Sequence, residues 1–218
     1  MMLLEHDAKE LLAGRGIAVP SGFLVTAEAI AETSLPLSFP LIVKAQIATG
    51  GRGKAGGIRR VESRDTLQRV LIDLQGFVIK GHTVRACRVE EPIAGAESYL
   101  SFSLDASRGR LNCLMSADGG VDVETHADDG ALLAADCAFT PEGALATTLD
   151  LARGLPEPVR DAIRSAAPAL IFAFFDLEAT LLEINPLFVR PDGSWVAGDV
   201  KLIIDVELIQ HMMEFLRP

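Results

Sequence analysis

Apolar residues in the first part of the chain recur at helical spacing in some segments and at strand spacing in others. Residues 4–14 carry an apolar face that ends at glycine, which predicts a short helix, and residues 26–33 predict a second one. The segments 40–47 and 58–62 contain Ile and Val and follow Pro or Gly, so they predict strands.

The middle of the chain continues this alternation of helices and strands. Residues 63–74 predict a helix, because Ser63 precedes an amphipathic run that lasts to Leu74. Residues 78–89 predict a further strand region. Residues 97–105 and 111–116 predict two strands that pair around a short turn.

The last part of the chain predicts a long helix and a β-hairpin. Residues 157–175 have helical spacing, and Pro168 is expected to kink or split that helix because proline lacks the amide donor. Residues 180–189 and 194–201 alternate on either side of a Pro-Asp-Gly turn, which is typical of a hairpin. Residues 205–216 predict an apolar-rich helix, and the whole pattern indicates an α/β or α+β protein.

Composition narrows the classes of protein that this pattern allows. Of 218 residues, 49% are hydrophobic and 23% are charged, which excludes a disordered chain. The net charge of −10 argues against a protein that acts on a nucleic-acid backbone, although a few local cations can still form a nucleotide site. The mean hydropathy of +0.30 is high, and it predicts surface that is buried against a partner.

Neither a membrane nor a secretory location is expected. The most apolar run, residues 166–175, is too short to span a bilayer, and the N-terminus is acidic where a signal peptide is basic. Three cysteines without a Cys-x-x-Cys spacing predict free thiols. The expected location is therefore the cytoplasm.

Residues 50–57 read Gly-Gly-Arg-Gly-Lys-Ala-Gly-Gly and form the densest motif of the chain. The Gly-x-Gly-x-x-Gly spacing within it matches the dinucleotide-binding fingerprint, but that fingerprint must open a helix. Here the glycines lead into the strand predicted over residues 58–62. A P-loop is also excluded, because no Ser or Thr follows Lys54. The motif is interpreted as a glycine-rich loop between two strands.

The cations at this loop favour a phosphate site. Arg52 and Lys54 lie within the loop and Lys44 precedes it, and bare backbone amides allow a phosphate to approach closely. The alternative is a flexible hairpin with solvated charges. Spacing places Lys44 on the same strand face as Ile42, which by itself favours an edge position with the ammonium at solvent.

A second set of polar residues accompanies the predicted hairpin. The motif Glu-Ile-Asn-Pro at residues 183–186 lies in one strand and Asp199 in the next, so pairing brings Asn185 and Asp199 close together. Their side-chain oxygens are ligands that Mg²⁺ prefers. The alternative is a turn at Asn185 and a solvated Asp199. Three further acids are by residue type more often surface groups than ligands: Glu90, Glu91 and Glu97.

Together and in this order, the segments resemble the nucleotide-binding half of the succinyl-CoA synthetase (ADP-forming) β-subunit family. That half is an ATP-grasp domain. The likeness covers nearly the whole chain and is weakest over residues 128–155. It is carried by residues 4–11, 43–46, 50–57, 119–124, 183–187 and 199–202.

The resemblance implies an α+β fold of the ATP-grasp type. A small lid subdomain is expected over residues 20–92, and a larger body that binds nucleotide and metal over residues 1–19 and 93–218. The family's β-subunit continues with a second, flavodoxin-like domain. A chain of 218 residues is expected to lack that C-terminal CoA-ligase domain.

The resemblance also implies a role for individual residues. Lys44 matches a lysine on the nucleotide phosphates, and Glu183 matches the glutamate that meets a phosphohistidine, so these two are the candidate catalytic residues. Asn185 and Asp199 match magnesium ligands. The other nucleotide-binding matches are Gly51, Arg52 and Gly53 in the loop, Glu90 or Glu91 near the linker between the two subdomains, and Glu97. Glu97 follows Glu90 by seven residues where the family has eight, so the glutamate that holds the ribose stays open.

The implied function is that of a ligase component that works with other chains. In the family, ATP (or GTP) and Mg²⁺ phosphorylate a histidine, and the phosphate then activates a carboxylate for coenzyme A. The phosphohistidine and the CoA site belong to an α-type subunit, and a separate chain is expected to supply the second β domain. The four histidines of this chain lie outside the family's Gly-His-Ala-Gly-Ala motif: His6, His82, His126 and His211.

Two other functions remain open from the sequence. The chain could serve a ligase for another acid, such as malate or citrate, because the acid is recognised largely outside this segment. It could also be a noncatalytic, regulatory ATP-binding module, because a chain of this length is expected to lack the second domain. A dehydrogenase subunit is disfavoured by the strand after the glycines.

Overall fold

The computed structural model of the chain describes residues 1–26, 36–120 and 131–205. Its α-helices are α1 (Glu5–Ala13), α2 (Arg64–Leu74), α3 (Pro141–Leu151) and α4 (Val159–Asp176), and a 3-10 turn covers Ala152–Gly154. Its strands are β1 (Gly22–Thr26), β2 (Leu41–Ala45), β3 (Ile58–Val61), β4 (Val78–Ile79), β5 (His82–Thr83), β6 (Ala86–Glu90), β7 (Ala96–Asp105), β8 (Arg110–Ser116), β9 (Leu132–Ala138), β10 (Ala179–Val189), β11 (Trp195–Ala197) and β12 (Val200–Ile204). The helices predicted over residues 26–33 and 205–216 lie outside the described residues, apart from their first positions.

The first sheet has four antiparallel strands in the order β1-β6-β2-β3. Helix α2 packs against β2 and β3 and covers this sheet with the apolar face that the sequence predicts. The helix begins after Ser63, whose hydroxyl accepts a hydrogen bond from the backbone N–H of Thr66 at 3.3 Å. Strands β2 and β3 confirm that the glycine-rich segment is a loop that leads into a strand rather than into a helix.

The second sheet has six antiparallel strands. Five follow the order β11-β10-β7-β8-β9, and β12 lies beside β10. Helix α4 packs against β7 and β10, and α3 packs against β8 and β9. Phe102 of β7 meets Phe174 of α4 edge to face, with ring centroids 6.2 Å apart. The strands predicted over residues 97–105 and 111–116 are confirmed as the pair β7 and β8.

The predicted hairpin after residue 179 is confirmed with one difference. The returning chain forms two short strands, β11 and β12, which pair with the end and the beginning of β10 respectively. They are separated at Gly198 and Asp199, where a side chain at position 198 would overlap the ring of Phe188. The interruption lies beside Asn185, whose backbone N–H donates to the carbonyl of Asp199 at 3.0 Å.

The buried apolar residues form two clusters. One is drawn from residues 25–89 and lies with the first sheet and α2. The other is drawn from residues 8–17 and 100–204 and lies with the second sheet, α1, α3 and α4. The first cluster lies within the range predicted for the lid, and the second lies within the ranges predicted for the body. The division of the chain into these subdomains stays a prediction.

Some elements differ from the prediction. Helix α4 is continuous, so Pro168 does not split it, and the alternative expectation of a kink stays a prediction. Buried Ala166, Ala167 and Leu170 hold the turns around Pro168 in one core. The strand region predicted over residues 78–89 forms three short strands instead. None of the helices within the described ranges is long and apolar enough to cross a membrane.

Three elements are not predicted by the hydrophobic pattern: β1, β9 and α3. Strand β9 reads Leu-Leu-Ala-Ala-Asp-Cys-Ala, and its side chains alternate in burial from residue 133 onward, but alanines occupy two of its exposed positions, so the sequence does not show a clear apolar–polar alternation. A start signal for α3 is present in the sequence. Thr140 accepts a hydrogen bond from the backbone N–H of Gly143 at 3.1 Å, and Pro141 follows it.

Candidate functional site

A cleft of about 790 Å³ opens between the two sheets. Its walls come from α1, the glycine-rich loop, the connection from β6 to β7, and the interrupted strand pair at Asn185 and Asp199. Every site residue that the sequence predicts lines this cleft: Lys44, Gly51, Arg52, Gly53, Glu90, Glu91, Glu97, Glu183, Asn185 and Asp199. A volume of this size lies within the range of small-molecule and cofactor sites.

The glycine-rich loop, residues 46–57, is folded back on itself. Its turns are closed by backbone hydrogen bonds, such as the 2.8 Å bond from the N–H of Gly57 to the carbonyl of Arg52. Gly51 has a φ of +77°, which favours glycine, and a Cβ at Gly57 would lie 2.7 Å from Cδ1 of Ile79. The glycines therefore allow both the loop's conformation and its close packing.

Arg52 fastens this loop to the opposite wall of the cleft. Its Nη2 atom lies 2.8 and 3.0 Å from the two carboxylate oxygens of Asp199 and 2.7 Å from Oε2 of Glu5. Its Nη1 atom donates to the carbonyl of Ala45 at 3.1 Å. Burial lowers the pKa of Arg52, but Glu5 and Asp199 outweigh burial, so its net pKa is raised.

Lys44 points into the cleft from the interior of the first sheet, so the edge position favoured by spacing alone is wrong. Its residue is 7% exposed. Its Nζ atom lies 3.0 Å from Oε1 of Glu5 and 2.7 Å from Oε1 of Glu90, and it donates to the carbonyl of Gly198 at 2.9 Å. Burial lowers the pKa of Lys44, but Glu5, Glu90 and Asp199 outweigh it and the net pKa is raised, so Lys44 stays charged.

The sequence analysis missed the buried ion network that holds Lys44. Lys9 is fully buried, and its Nζ atom lies 2.6 Å from Oε1 of Glu5 and 2.7 Å from Oε2 of Glu90. Arg88 reaches the same oxygen of Glu90 at 2.8 Å. The sequence contains one signal for this network. Glu5 and Lys9 are four residues apart, a spacing at which side chains of a helix meet, and Lys9 directly follows Ala8, which is buried.

Glu5 joins this network to the glycine-rich loop. It contacts Lys9, Lys44 and Arg52, and it is 3% exposed. Burial raises the pKa of Glu5, but Lys44, Lys9 and Arg52 outweigh it and hold the pKa well below its ordinary value. The carboxylate therefore remains ionised and orients the two cations that face the cleft.

The two adjacent glutamates of the linker have different surroundings. Glu90 is 2% exposed, and both of its oxygens are paired with cations of the ion network. The residue Glu91 is exposed and lines the cleft, and its backbone N–H donates to the carbonyl of Ser21 at 3.0 Å. Of the two, Glu91 has the carboxylate at the solvent-accessible side.

Glu97 and Asn185 meet at Gly120. The backbone N–H of Gly120 donates to Oδ1 of Asn185 at 2.6 Å, and a Cβ at Gly120 would overlap the carboxylate of Glu97. A Cβ at Gly119 would overlap the backbone of Ser98. Glycines at positions 119 and 120 are therefore required by close packing, because the backbone there passes between two predicted site residues.

Asn185 and Asp199 supply oxygens of the kind that a hard cation takes. The side chain of Asp199 is 23% exposed, so solvent reaches it from the cleft. Burial raises the pKa of Asp199, Glu5 raises it further, and Lys44 and Arg52 offset only part of that shift. The described part of the chain contains no group of three His, Cys, Asp or Glu residues that could hold a metal. Two oxygen ligands suit Mg²⁺, which takes most of its shell from water and phosphate.

The basic side chains of the cleft are concentrated on one wall, whereas acidic side chains lie on both walls. Six basic and six acidic side chains line the cleft. Five of the basic residues come from residues 44–80, whereas Glu97, Glu183 and Asp199 come from the second sheet and its interruption. Glu183 lies 3.9 Å from Lys201, and its side chain is 26% exposed. The arrangement can hold an anion along one wall and a cation along the other.

Comparison with known proteins gives one family. The model of the ATP-grasp domain family matches residues 2–189. The chain is 37% identical over 212 residues to the succinate–CoA ligase (ADP-forming) subunit beta of Roseiflexus sp. (strain RS-1), with 94% of this chain and 56% of that protein covered. The chain thus spans about half the length of the curated relatives that it matches.

Two solved structures share the fold. ATP citrate lyase from Methanothrix soehngenii, in complex with citrate and coenzyme A, has a TM-score of 0.69 and 22% identity, covering 94% of this chain and 51% of that one. The dinucleotide forming acetyl-coenzyme A synthetase 1 of Ca. Korarchaeum cryptofilum, in complex with coenzyme A and Ca-AMPCP, has a TM-score of 0.69 and 19% identity, covering 94% and 93%. At these identities the likeness concerns the fold alone. Because the family model matches residues 2–189, which is most of this chain, the chain belongs to the ATP-grasp domain family.

Proposed function

We propose that this chain is the nucleotide-binding component of an ADP-forming acyl-CoA ligase, and that ATP binds with Mg²⁺ in the cleft between the two sheets. One observation carries the proposal. Lys44 and Arg52 face the cleft from the lid side, and Asn185 and Asp199 face it from the other wall. A metal–triphosphate needs both kinds of group at once, cations for its phosphates and oxygens for its metal.

The phosphates would lie along the basic wall under the glycine-rich loop. The ammonium of Lys44 is held by Glu5 and Glu90, and the guanidinium of Arg52 by Glu5 and Asp199. Groups fixed in this way need little reorganisation when charge develops on the transferred phosphoryl group. Their role is to orient the triphosphate and to stabilise its negative charge.

Asn185 and Asp199 would hold Mg²⁺. Mg²⁺ held there with a nucleotide would neutralise part of the phosphate charge. Arg52 contacts Asp199 in this structure, so binding of the metal complex would require the guanidinium to exchange that carboxylate for a phosphate. The Gly120 amide keeps the Asn185 side chain oriented through their 2.6 Å hydrogen bond.

The nucleoside would lie toward the linker between the sheets. Glu91 is the carboxylate there that we expect to accept hydrogen bonds from ribose, because both oxygens of Glu90 are taken by buried cations. Glu97, on the first residues of β7, would contribute a further carboxylate to the nucleotide site.

A partner chain would complete the reaction. We infer that the γ-phosphorus leaves the bridging oxygen of ATP and forms a bond with a histidine nitrogen of an α-type subunit, releasing ADP. Glu183, exposed to the cleft, is the residue that we expect to meet that histidine. The CoA site and the site for the acid would lie outside this cleft. We expect the assembly of this chain with its partner in the cytoplasm, in line with the free, buried cysteines of the chain.

A second candidate function is a regulatory ATP-binding module that transfers no phosphate. It is favoured by the ion pairs of Lys44 with Glu5 and Glu90 and of Arg52 with Asp199, which satisfy these charges without a substrate. A ligase for a different acid, such as malate or citrate, stays within the first proposal.

The experiment combines binding with phosphate transfer. Thermal unfolding of the chain with ATP, GTP or NAD, each with and without Mg²⁺, should show the largest stabilisation with a triphosphate and Mg²⁺. The chain isolated with its native partners should then transfer ³²P from γ-labelled ATP to a partner histidine. Stabilisation without any labelling would favour the regulatory module, and stabilisation by NAD above ATP would overturn both candidates.

A further inference from the structure

We propose that Lys80 is an additional phosphate-contacting residue of the nucleotide site, and that it selects triphosphates over monophosphates. This inference rests on the proposed function, because it assigns a new residue to the same cleft. Lys80 does not belong to any motif that the sequence analysis identifies. It is singled out by its place in the fold, its backbone conformation and the pairing of the other cations around it.

Lys80 lies at the tip of the small hairpin formed by β4 and β5. Its φ is +48°, in the left-handed region that is unusual for a residue other than glycine, and Gly81 follows with a φ of +83°. The preceding residue, Ile79, is buried. Its Cδ1 atom lies where it would be 2.7 Å from a Cβ at Gly57, so the hairpin packs directly on the glycine-rich loop.

The ammonium of Lys80 lies against the same loop at Gly51. A Cβ at Gly51 would lie 2.9 Å from Nζ of Lys80 and 3.5 Å from its Cε. The absence of a side chain at position 51 therefore gives Lys80 access to the loop backbone. Because Gly51 and Lys80 both line the cleft, the lysine adds a cation beside the segment proposed to cover the phosphates.

Lys80 differs from the other cations of the cleft in its pairing. Lys44 and Arg52 are held by carboxylates, Arg60 lies 2.8 Å from Glu62, and Lys201 lies beside Glu183. Lys80 is exposed and makes no ion pair or hydrogen bond with any residue in the described ranges. Its charge is therefore not offset by a protein carboxylate there, and it can be offset by a phosphate.

The exposed position of Lys80 beside Gly51 of the loop indicates which ligands depend on it. A nucleoside triphosphate extends further and carries more negative charge than a monophosphate. An added cation beside the phosphate-covering loop therefore strengthens binding of ATP more than binding of AMP. A lysine that is only solvated would affect neither ligand.

The test is calorimetric titration of the full chain with ATP and with AMP, each with Mg²⁺, for the wild type and three variants. Lys80→Met should weaken ATP binding roughly tenfold, the scale of one charge-assisted contact, and leave AMP binding within about twofold. Lys80→Arg should retain most of the ATP affinity. Arg85→Met removes an exposed cation a few residues away that does not line the cleft, and it should leave both affinities unchanged.

The possible outcomes distinguish a failure of the Lys80 proposal from a failure of the proposed function. If the wild type binds ATP and Lys80→Met binds it equally well, the inference on Lys80 is wrong and the proposed function stands. If Lys80→Met weakens ATP and AMP equally, triphosphate selection by Lys80 is wrong. If the wild type binds no ATP, the proposed function is overturned, and the role of Lys80 with it. Melting temperatures of all variants within a few degrees of wild type confirm that each is folded.

Discussion

The Nη2 atom of Arg52 lies 2.8 Å from one carboxylate oxygen of Asp199 and 3.0 Å from the other, across 147 residues of sequence. This contact joins the glycine-rich loop to the interrupted strand pair and closes one side of the cleft. It also joins Arg52, which we propose to bind phosphate, to Asp199, which we propose to bind Mg²⁺. Nucleotide binding would thus replace a contact between protein groups by contacts of each group with the substrate.

Arg52→Lys is expected to weaken ATP binding roughly tenfold or more. A lysine ammonium cannot reach Ala45, Glu5 and Asp199 at the same time as the planar guanidinium does. Calorimetric titration with ATP and Mg²⁺ measures the effect. Arg69→Lys, on the exposed side of α2, is the matched control. Equal affinity in Arg52→Lys and wild type would remove Arg52 from the phosphate site.

Glu5→Gln is expected to change how stability depends on pH. The pKa of Glu5 is lower in the folded chain than its ordinary value of 4.5, so its ionic contacts stabilise the fold above that value. This contribution is lost as the pH falls through the depressed folded pKa. The wild type should therefore lose unfolding free energy more steeply than Glu5→Gln on acidification below about pH 4.5.

Urea unfolding of both proteins between neutral and acidic pH checks this prediction. At neutral pH the variant should be less stable, because Lys9, Lys44 and Arg52 lose a shared carboxylate. The two stability curves should then approach one another as the pH falls. Parallel curves would mean that Glu5 has no depressed pKa in the folded chain.

Lys9→Met is expected to lower the free energy of unfolding by about 3–5 kcal/mol, the usual range when one partner of a buried ion pair is removed. Glu5 and Glu90 would each lose an ammonium at 2.6 or 2.7 Å and stay buried. Arg164→Met removes an exposed cation from α4 and should stay within about 0.5 kcal/mol of wild type. A loss from Lys9→Met as small as that of the control would mean that the network adds little to folding.

Gly120→Ala is expected to disturb both stability and metal-dependent nucleotide binding. The new methyl group would overlap the Glu97 carboxylate beside Asn185, and φ is +75°. Gly193→Ala is the matched control, since its φ is +81° and no atom lies within 4 Å of its Cβ position. The control should show only the cost of the left-handed backbone, about 1–2 kcal/mol.

Comparison of the two glycine variants isolates the effect of the cleft contact. A greater loss of melting temperature in Gly120→Ala, with weaker binding of ATP and Mg²⁺, is the expected result. Equal melting temperatures, with unchanged nucleotide affinity, would show that Glu97 moves aside without consequence for the site.

Much of the fold follows from local sequence. The glycine-rich loop is flanked by strands because Ile and Val segments lie on both sides of it, and Ser63 marks the start of α2 as expected. The less regular elements do not follow from it. Strand β9 has no clear apolar–polar alternation in sequence because alanines occupy exposed positions of it, and α4 continues through Pro168 because its neighbours are buried on both sides.

The candidate site is predictable in its residue types and less so in its contacts. The glycine loop, Asn185 and Asp199 carry short motifs with a chemical reason for each residue. The ion network does not, because Lys9 and Glu90 are 81 residues apart and meet only when the tertiary fold brings α1, which packs with the second sheet, beside β6 of the first sheet. Spacing alone places Lys44 at an edge for the same reason, since the neighbouring strand β6 comes from much later in the chain.

The most direct test of the central claim is calorimetric titration of the chain with ATP, with and without Mg²⁺, in the wild type and in Asp199→Asn. The account predicts one ATP per chain, bound more tightly with Mg²⁺ than in excess EDTA. In Asp199→Asn that dependence on Mg²⁺ should be largely lost. No binding of ATP by the folded wild type at millimolar ATP and Mg²⁺ would contradict the account, as would identical affinities with Mg²⁺ and with EDTA.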